Sequence, residues 1–277
     1  MSGKKSVVVE HLKRAQMLEV ISKGKRLDGR GLLDTRPTSV EVGVIEKASG
    51  SAMVRLGNTE VIAGVKIQTG TPFEDTPDKG LLIVTAEVLP LASAYAEPGP
   101  PNEEAIELAR VVDRGIRESG IIDLSELCLV EGKTVQAVFV DISVLNVDGN
   151  LFDAASYAAV AALASSKKPK YEVDKEGEVK DTGKKVALPI KLIPVSITMA
   201  VIDDTLIVDP TLEEESVMTA RVTLTSADKD VLCAGQKGCP GGFSTEQIKL
   251  AVDTALKKGE EVRQIIKKSV ERGKKKK

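Results

Sequence analysis

Short alternating runs dominate the first third of the chain. Ser39–Val44, Ser51–Leu56 and Glu60–Ile67 place apolar, mostly β-branched residues at every second position, the period of a strand with one buried face. Turn residues at Ala48–Gly50 and Gly57–Asn58 separate these runs, so the spacing predicts an antiparallel meander. Residues 68–80, rich in Gly, Pro, Thr and Asp, read as a loop, and Leu81–Leu89 as the next strand. Ahead of the meander, Val8–Lys23 has the spacing of an amphipathic helix stopped by Gly24, and Arg26–Arg30 forms a charged turn.

The period changes after the Pro–Gly break at Glu97–Asn102. Ala105, Leu108, Ala109, Val112 and Ile116 recur at helical spacing and predict a helix over 103–119. Asn102 caps it, and Glu103 and Glu104 sit in the first turn, where the helix dipole favours anions. Val135–Leu145 reads as a strand, Asp148–Asn150 as a turn and Asp153–Ser166 as an alanine-rich, buried helix. The charged stretch 167–189 predicts a long hairpin or a mobile connection. Ile190–Ile202, Thr205–Val208, Ala220–Thr225 and Asp230–Ala234 then read as strands, and Ser244 with Gln247 forms a capping box for a final helix. The order of elements predicts an α+β protein of two αβ units. The expected divisions are an N-terminal helical extension (1–25), a first unit (26–166), a charged connection (167–189), a second unit (190–258) and a basic tail (259–277).

Composition narrows what such a chain can do. Lys and Arg number 39 against 41 Asp and Glu, a net charge of −2, which excludes a polybasic protein held to nucleic acid by bulk charge. The balance is uneven, since Lys257–Lys277 holds ten basic and three acidic residues. Aromatic residues make up 3% with no Trp, which argues against reading single strands mainly by ring stacking. Cys128, Cys233 and Cys239 have no paired spacing and His11 is the only histidine. A zinc site, a disulfide framework and a Ser–His–Asp scheme are therefore not expected, and neither is a metal or cofactor. His11 reads as a solvated side chain on a polar helix face. The longest low-polarity run, Ala154–Ala164, is too short to span a bilayer. A cytoplasmic protein without membrane contact is expected.

Four motifs carry a family resemblance: Arg26-Leu-Asp-Gly-Arg30, Arg36-Pro37, Gly50-Ser-Ala-x-Val54 and Leu56-Gly-Asn-Thr-x-Val61. Together they resemble the opening of the RNase PH family, and the likeness runs over roughly residues 26–258. Within the family the chain is most similar to the non-catalytic ring subunit of the archaeal exosome. The resemblance implies an RNase PH-like fold and a hetero-hexameric ring of three heterodimers with a catalytic paralogue, joined by RNA-binding cap proteins. Such a ring degrades single-stranded RNA phosphorolytically from its 3′ end. The alternative function is an active phosphate-dependent 3′–5′ exoribonuclease in its own right, and a structural paralogue without RNA contact is a further rival.

Active members of the family resemble one another in a Gly-Gly-[Ser/Thr]-Arg turn before a helix. There, backbone amides, a hydroxyl and a guanidinium converge on inorganic phosphate. The matching stretch here is Asp148-Gly149-Asn150-Leu151-Phe152-Asp153. Asn150, Leu151 and Phe152 stand where Gly, Ser/Thr and Arg are expected, so both phosphate-binding side chains are missing. Asp153, in the first turn, is expected to satisfy the helix amides itself and to repel phosphate. The site reads as degenerate and no catalytic residue is assigned. Asp209 and Glu215 resemble the family's second-unit carboxylate pair in spacing. The plainer reading is a strand-ending Asp209-Pro210 turn followed by a solvated acidic loop, Glu213–Glu215.

Arg110, Arg114 and Arg117 form a basic stripe on the 103–119 helix, away from its apolar face. Arg110 and Arg114 lie about 6 Å apart along the axis at 1.5 Å per residue, a spacing compatible with successive phosphates of one strand. By spacing alone, Glu107 with Arg110 and Arg114 with Glu118 form ordinary surface ion pairs. The resemblance implies instead that arginines within Leu108–Arg114 contact RNA beside the paralogue's active site, and Arg117 is a third candidate. The basic tail reads as solvated. Gly235–Gly242 lacks the Gly-Lys-[Ser/Thr] of a nucleotide loop and reads as a plain turn.

Overall fold

The computed structural model describes residues 14–275 apart from Tyr95 and Lys175; His11 and the start of the expected 8–23 helix lie outside the described residues. The described part of that helix, α1 (residues 14–22), ends at Gly24 in the left-handed region, φ 75°. Met17 and Ile21, four apart on one face, bury against Ala200, Ile202 and Ile207.

The first sheet contains β1 (Thr38–Val42), β2 (Gly50–Leu56), β3 (Thr59–Gly70), β4 (Leu81–Val88), β5 (Cys128–Val130) and β6 (Thr134–Asn146). The order is β1-β2-β3-β6-β4, with β5 also on β6. The meander is antiparallel as expected, and β4 lies parallel to β6 with Leu81 opposite Ala137. Between β4 and β5 runs α2 (Glu103–Ser119). It is capped by Asn102, whose side chain accepts from the Ala105 amide, and ends at Gly120. After β6 comes α3 (Leu151–Ala164), then β7 (Lys167–Val173) and β8 (Val179–Ala187), an antiparallel hairpin paired only with itself. The charged connection is thus the hairpin of the two expected possibilities.

The second sheet holds β9 (Val195–Ile202), β10 (Thr205–Val208), β11 (Ala220–Asp228) and β12 (Val231–Gly238) in the order β10-β9-β11-β12, all antiparallel. The expected strand from Ile190 starts only at Val195, because Pro194 has no amide to donate to a ladder. Conversely β12 continues to Gly238, past the expected Ala234 and into the glycine-rich stretch, before a turn at Cys239. A short helix, α4 (Leu212–Glu215), joins β10 to β11, and α5 (Thr245–Lys275) closes the chain.

The core explains this arrangement. α3 lies between the sheets, packed on β2 and β3 and also on β9. Its alanines at 154, 155, 158, 159, 161 and 162 are fully buried, and small side chains allow both sheets to approach closely. A Cβ on Gly50 would lie 2.5 Å from the Ala162 carbonyl oxygen, which is why β2 begins with glycine. Apolar residues of both sheets join one continuous cluster with α3. As far as Lys275 the basic tail is not solvated chain: it is the second half of α5, which packs on β1, β9 and β11 and buries Ala251 and Ala255 ahead of the tail and Val262, Ile266 and Val270 within it. Apolar residues recur every three to four positions between the lysines, and that period governs the segment more than its charge does.

Candidate functional site

The turn from β6 into α3 is compressed against the second unit. Gly149 has φ 81°, and a Cβ there would overlap the backbone of Pro210–Leu212. Asn150 also takes the left-handed conformation, φ 52°, which asparagine tolerates better than most residues. It is fully buried, and every polar group on it is used. Its amide donates to Glu215 Oε1 at 2.8 Å, and its Nδ2 donates to Asp153 Oδ2 at 2.8 Å and to Asp209 Oδ1 at 2.7 Å. Its Oδ1 accepts from the Asp153 amide at 3.4 Å and caps α3.

The helix amides are therefore capped by Asn150, not by Asp153 as expected. The Asp153 carboxylate turns inward, accepting from the Thr198 amide at 3.0 Å and Thr198 Oγ1 at 2.7 Å. Burial outweighs these donors and pushes its pKa up to about 7. Of the carboxylates around the helix start, Asp209 is the one held toward its ionised form. Burial works against ionisation of Asp209, but the Arg36 guanidinium and amide together with Asn150 hold its pKa below the ordinary carboxylate value. Arg36 Nη2 lies 2.7 Å from Asp209 Oδ1, and Arg30 Nη1 lies 3.0 Å from Oδ2. Glu215 is raised by burial, while the Asn150 amide and Arg221 act the other way.

The plain reading of Asp209–Glu215 is also corrected. Glu213–Glu215 is not a solvated loop: it belongs to α4, which carries a Thr211/Glu214 capping box. Glu214 is buried in an ion pair with Arg26. Arg26 also donates to the Val208 and Asp209 carbonyls, and Arg36 to those of Asp148 and Gly149. The arginines of the opening motifs thus clamp the α4 segment onto the β6–α3 turn. Sequence reasoning marked those motifs but not this role, because their partners lie more than 100 residues away.

Leu151 is half-buried near Leu212 beside the Pro98–Pro101 loop. Phe152 is buried and carries Arg221 of β11 over its ring, 4.1 Å to the centroid. The same guanidinium donates from Nη2 to Glu107 Oε1 on α2 at 2.6 Å. Positions 151 and 152 themselves thus present neither a hydroxyl nor an arginine at the start of α3.

The three candidate arginines of α2 all line one groove of about 510 Å³ against β4, floored by Val84, Ala86, Ile106 and Ala109. β4 is an edge strand of its sheet. Neither ion pair expected from spacing forms. Glu107 is taken by Arg221, and Arg114 Nη1 donates to Gln236 Oε1 of β12 at 3.1 Å. Arg110 is exposed and has no partner among the described residues. Arg117 is different: it pairs with Asp113 at 2.7 Å and donates to the Leu82 carbonyl at 3.0 Å. No group of three or more His, Cys, Asp and Glu among the described residues could hold a metal, and no described helix is long and apolar enough to cross a membrane.

Two family models cover most of the chain. Residues 34–169 match domain 1 of the 3′ exoribonuclease family, RNase PH, and residues 193–258 match its domain 2. The chain belongs to the RNase PH family. Among its RNase PH-like relatives, exosome complex component Rrp42 of Pyrococcus horikoshii is 48% identical over 94% of this chain and 95% of its own. The Rrp42 of Methanopyrus kandleri is 49% identical over 94% and 97%. A chain of the Archaeoglobus fulgidus exosome, solved with RNA bound to the active site, superposes with a TM-score of 0.85 at 43% identity, covering 93% of this chain and 98% of that one. A chain of an archaeal exosome core gives 0.82 at 39%, covering 94% and 98%. The α+β, RNase PH-like architecture expected from the sequence is the one these relatives share.

Proposed function

We propose that the chain is a non-catalytic subunit of a cytoplasmic exosome ring. It scaffolds the ring, supports the active site of a catalytic RNase PH-like paralogue and contacts single-stranded RNA through Arg110 and Arg114. The observation that carries this reading is the start of α3. There the Asn150 amide is spent on the Glu215 carboxylate, and Phe152 occupies the arginine position. A phosphate entering the turn would meet the Glu215 and Asp209 carboxylates, with no hydroxyl at position 151 and no arginine at position 152 to receive it, which removes electrostatic stabilisation that phosphorolysis requires. Full-length likeness to Rrp42 proteins and to archaeal exosome chains supports ring membership. Three heterodimers and RNA-binding caps complete the proposed assembly. Arg110, unpaired at an open groove, and Arg114, held by a neutral glutamine, support the RNA contact, whereas Arg117 is engaged with Asp113 and acts mainly in the fold.

The test is a paired assay on 5′-labelled single-stranded RNA, with and without inorganic phosphate. This chain is run alone and then combined with its catalytic paralogue. Silence alone and phosphate-dependent shortening in the mixture is the expected result. Release of nucleoside diphosphates by the isolated chain would replace this reading with that of an active enzyme.

A further inference from the structure

We propose that Arg221 is a positioning residue for RNA binding: it holds the Glu107 carboxylate away from Arg110 and so keeps Arg110 available to a backbone phosphate. The proposal rests on the reading of α2 as the RNA-facing helix. Glu107 and Arg110 stand three residues apart, a spacing at which opposite charges on a helix pair. In the structure that pair is absent, and Glu107 accepts from Arg221 of the neighbouring sheet at 2.6 Å.

The seat of Arg221 is specific. Its guanidinium lies on the face of Phe152 at 4.1 Å, an arrangement that favours a cation electrostatically. Its Nε is buried without a hydrogen-bond partner, and the ring, Glu107 and the charge of the nearby Glu215 carboxylate are what hold the group. Gly238 on β12 leaves room for it, since a Cβ there would lie 2.5 Å from Arg221 Nη2. Arg221's side chain is 12% exposed against 39% for that of Glu107, so the cation is the fixed partner and the carboxylate is drawn to it. Phe152, the residue that removes a phosphate-binding arginine from α3, thereby supports an arginine that acts on α2. Without Arg221, Glu107 would be an unpaired carboxylate within reach of Arg110, neutralising it and repelling the strand.

The experiment uses the chain assembled with its catalytic paralogue in the absence of inorganic phosphate, so that RNA binds but is not phosphorolysed. Affinity for a labelled single-stranded oligoadenylate is measured across a salt series. Arg221→Met is expected to weaken binding about threefold to tenfold and to make the log–log salt slope shallower by about 0.7, the value for one lost phosphate contact on a single strand. Glu107→Gln is expected to bind at least as well as the parent, and Glu107→Gln with Arg221→Met to return to within about twofold of Glu107→Gln alone, because a neutral side chain cannot capture Arg110. If Arg221→Met does not fold, Gly238→Ala, which displaces the guanidinium but leaves its charge, carries the same comparison with Glu107→Gln. Loss of binding that Glu107→Gln does not rescue would overturn the proposal in favour of a structural role. Unchanged binding in Arg221→Met would also overturn it, provided that Arg110→Glu weakens binding. If Arg110→Glu itself changes nothing, the reading of α2 fails and this inference fails with it.

Discussion

Asp153 shows how one buried side chain sets a property of the whole chain. Thr198 N and Asn150 Nδ2 both donate to its Oδ2, while Thr198 Oγ1 donates to Oδ1 and also lies 2.9 Å from Thr223 Oγ1. A proton on Oδ1 is accommodated if the Thr198 hydroxyl turns to donate to Thr223, so the neutral acid fits as well as the anion. The folded pKa of about 7 stands above the ordinary 3.8, so the native state takes up this proton before the unfolded chain does. Stability from this group therefore rises as pH falls from about 7 toward 4, by at most about 1.4 kcal/mol per pH unit. Glu215, also raised, adds a slope of the same sign. Asp209, held low, opposes it only at more acid pH. Asp153→Asn copies the protonated form, with its Oδ1 in the two-donor position and its amide group facing Thr198 Oγ1. Chemical denaturation between pH 4 and 7 is expected to show a clearly flatter dependence in that variant; an unchanged slope would assign the effect to other groups.

At the scale of elements, α2 and α5 separate what charge and what packing contribute. Both carry basic residues, but on α2 they face a groove, whereas on α5 they interleave with a buried apolar stripe. Arg110→Glu and Arg114→Glu should therefore leave the melting temperature nearly unchanged. In the assembled ring without phosphate each should weaken RNA binding and reduce the salt slope by roughly 0.7 per lost contact. The opposite is expected of Ile266, which is fully buried near the end of α5. Ile266→Ala should cost about 2–5 kcal/mol, the usual range for a large-to-small change in a packed core, read as a lower denaturation midpoint at constant slope. If it has no effect, the end of α5 contributes little to the fold.

On the scale of the molecule, the two αβ units meet around α3, and the β6–α3 turn sits where they meet. Restoring a phosphate site is therefore not a matter of three residues. Asn150→Gly, Leu151→Ser and Phe152→Arg together would still face the Glu215 carboxylate, and the new arginine would compete with Arg221 for one space. The same change removes the Asn150 bridge between Asp153 and Asp209, so lower stability is expected with little or no phosphate-dependent turnover by the isolated chain. Robust turnover in a nucleoside diphosphate release assay would show that too many parts were counted as missing.

Much of this was legible in the amino-acid order, and the rest was not, for physical reasons that particular residues make plain. The meander, α2 with its Asn102 cap, and the buried α3 are local patterns, because periods of two and of 3.6 residues and a capping side chain are written within a dozen positions. The proposed loss of the phosphate turn rests on equally local information, the residue types at 150–152. Tertiary structure decided the partners. Whether Glu107 pairs with Arg110 or Arg221, whether Asn150 or Asp153 caps α3, and whether Glu213–Glu215 is solvated or clamped by Arg26 all depend on groups brought together from distant parts of the chain. Local sequence lists the donors and acceptors available to each residue. The packing of two sheets around α3 decides which of them meet, and a buried charge takes the partner that compensates its lost hydration.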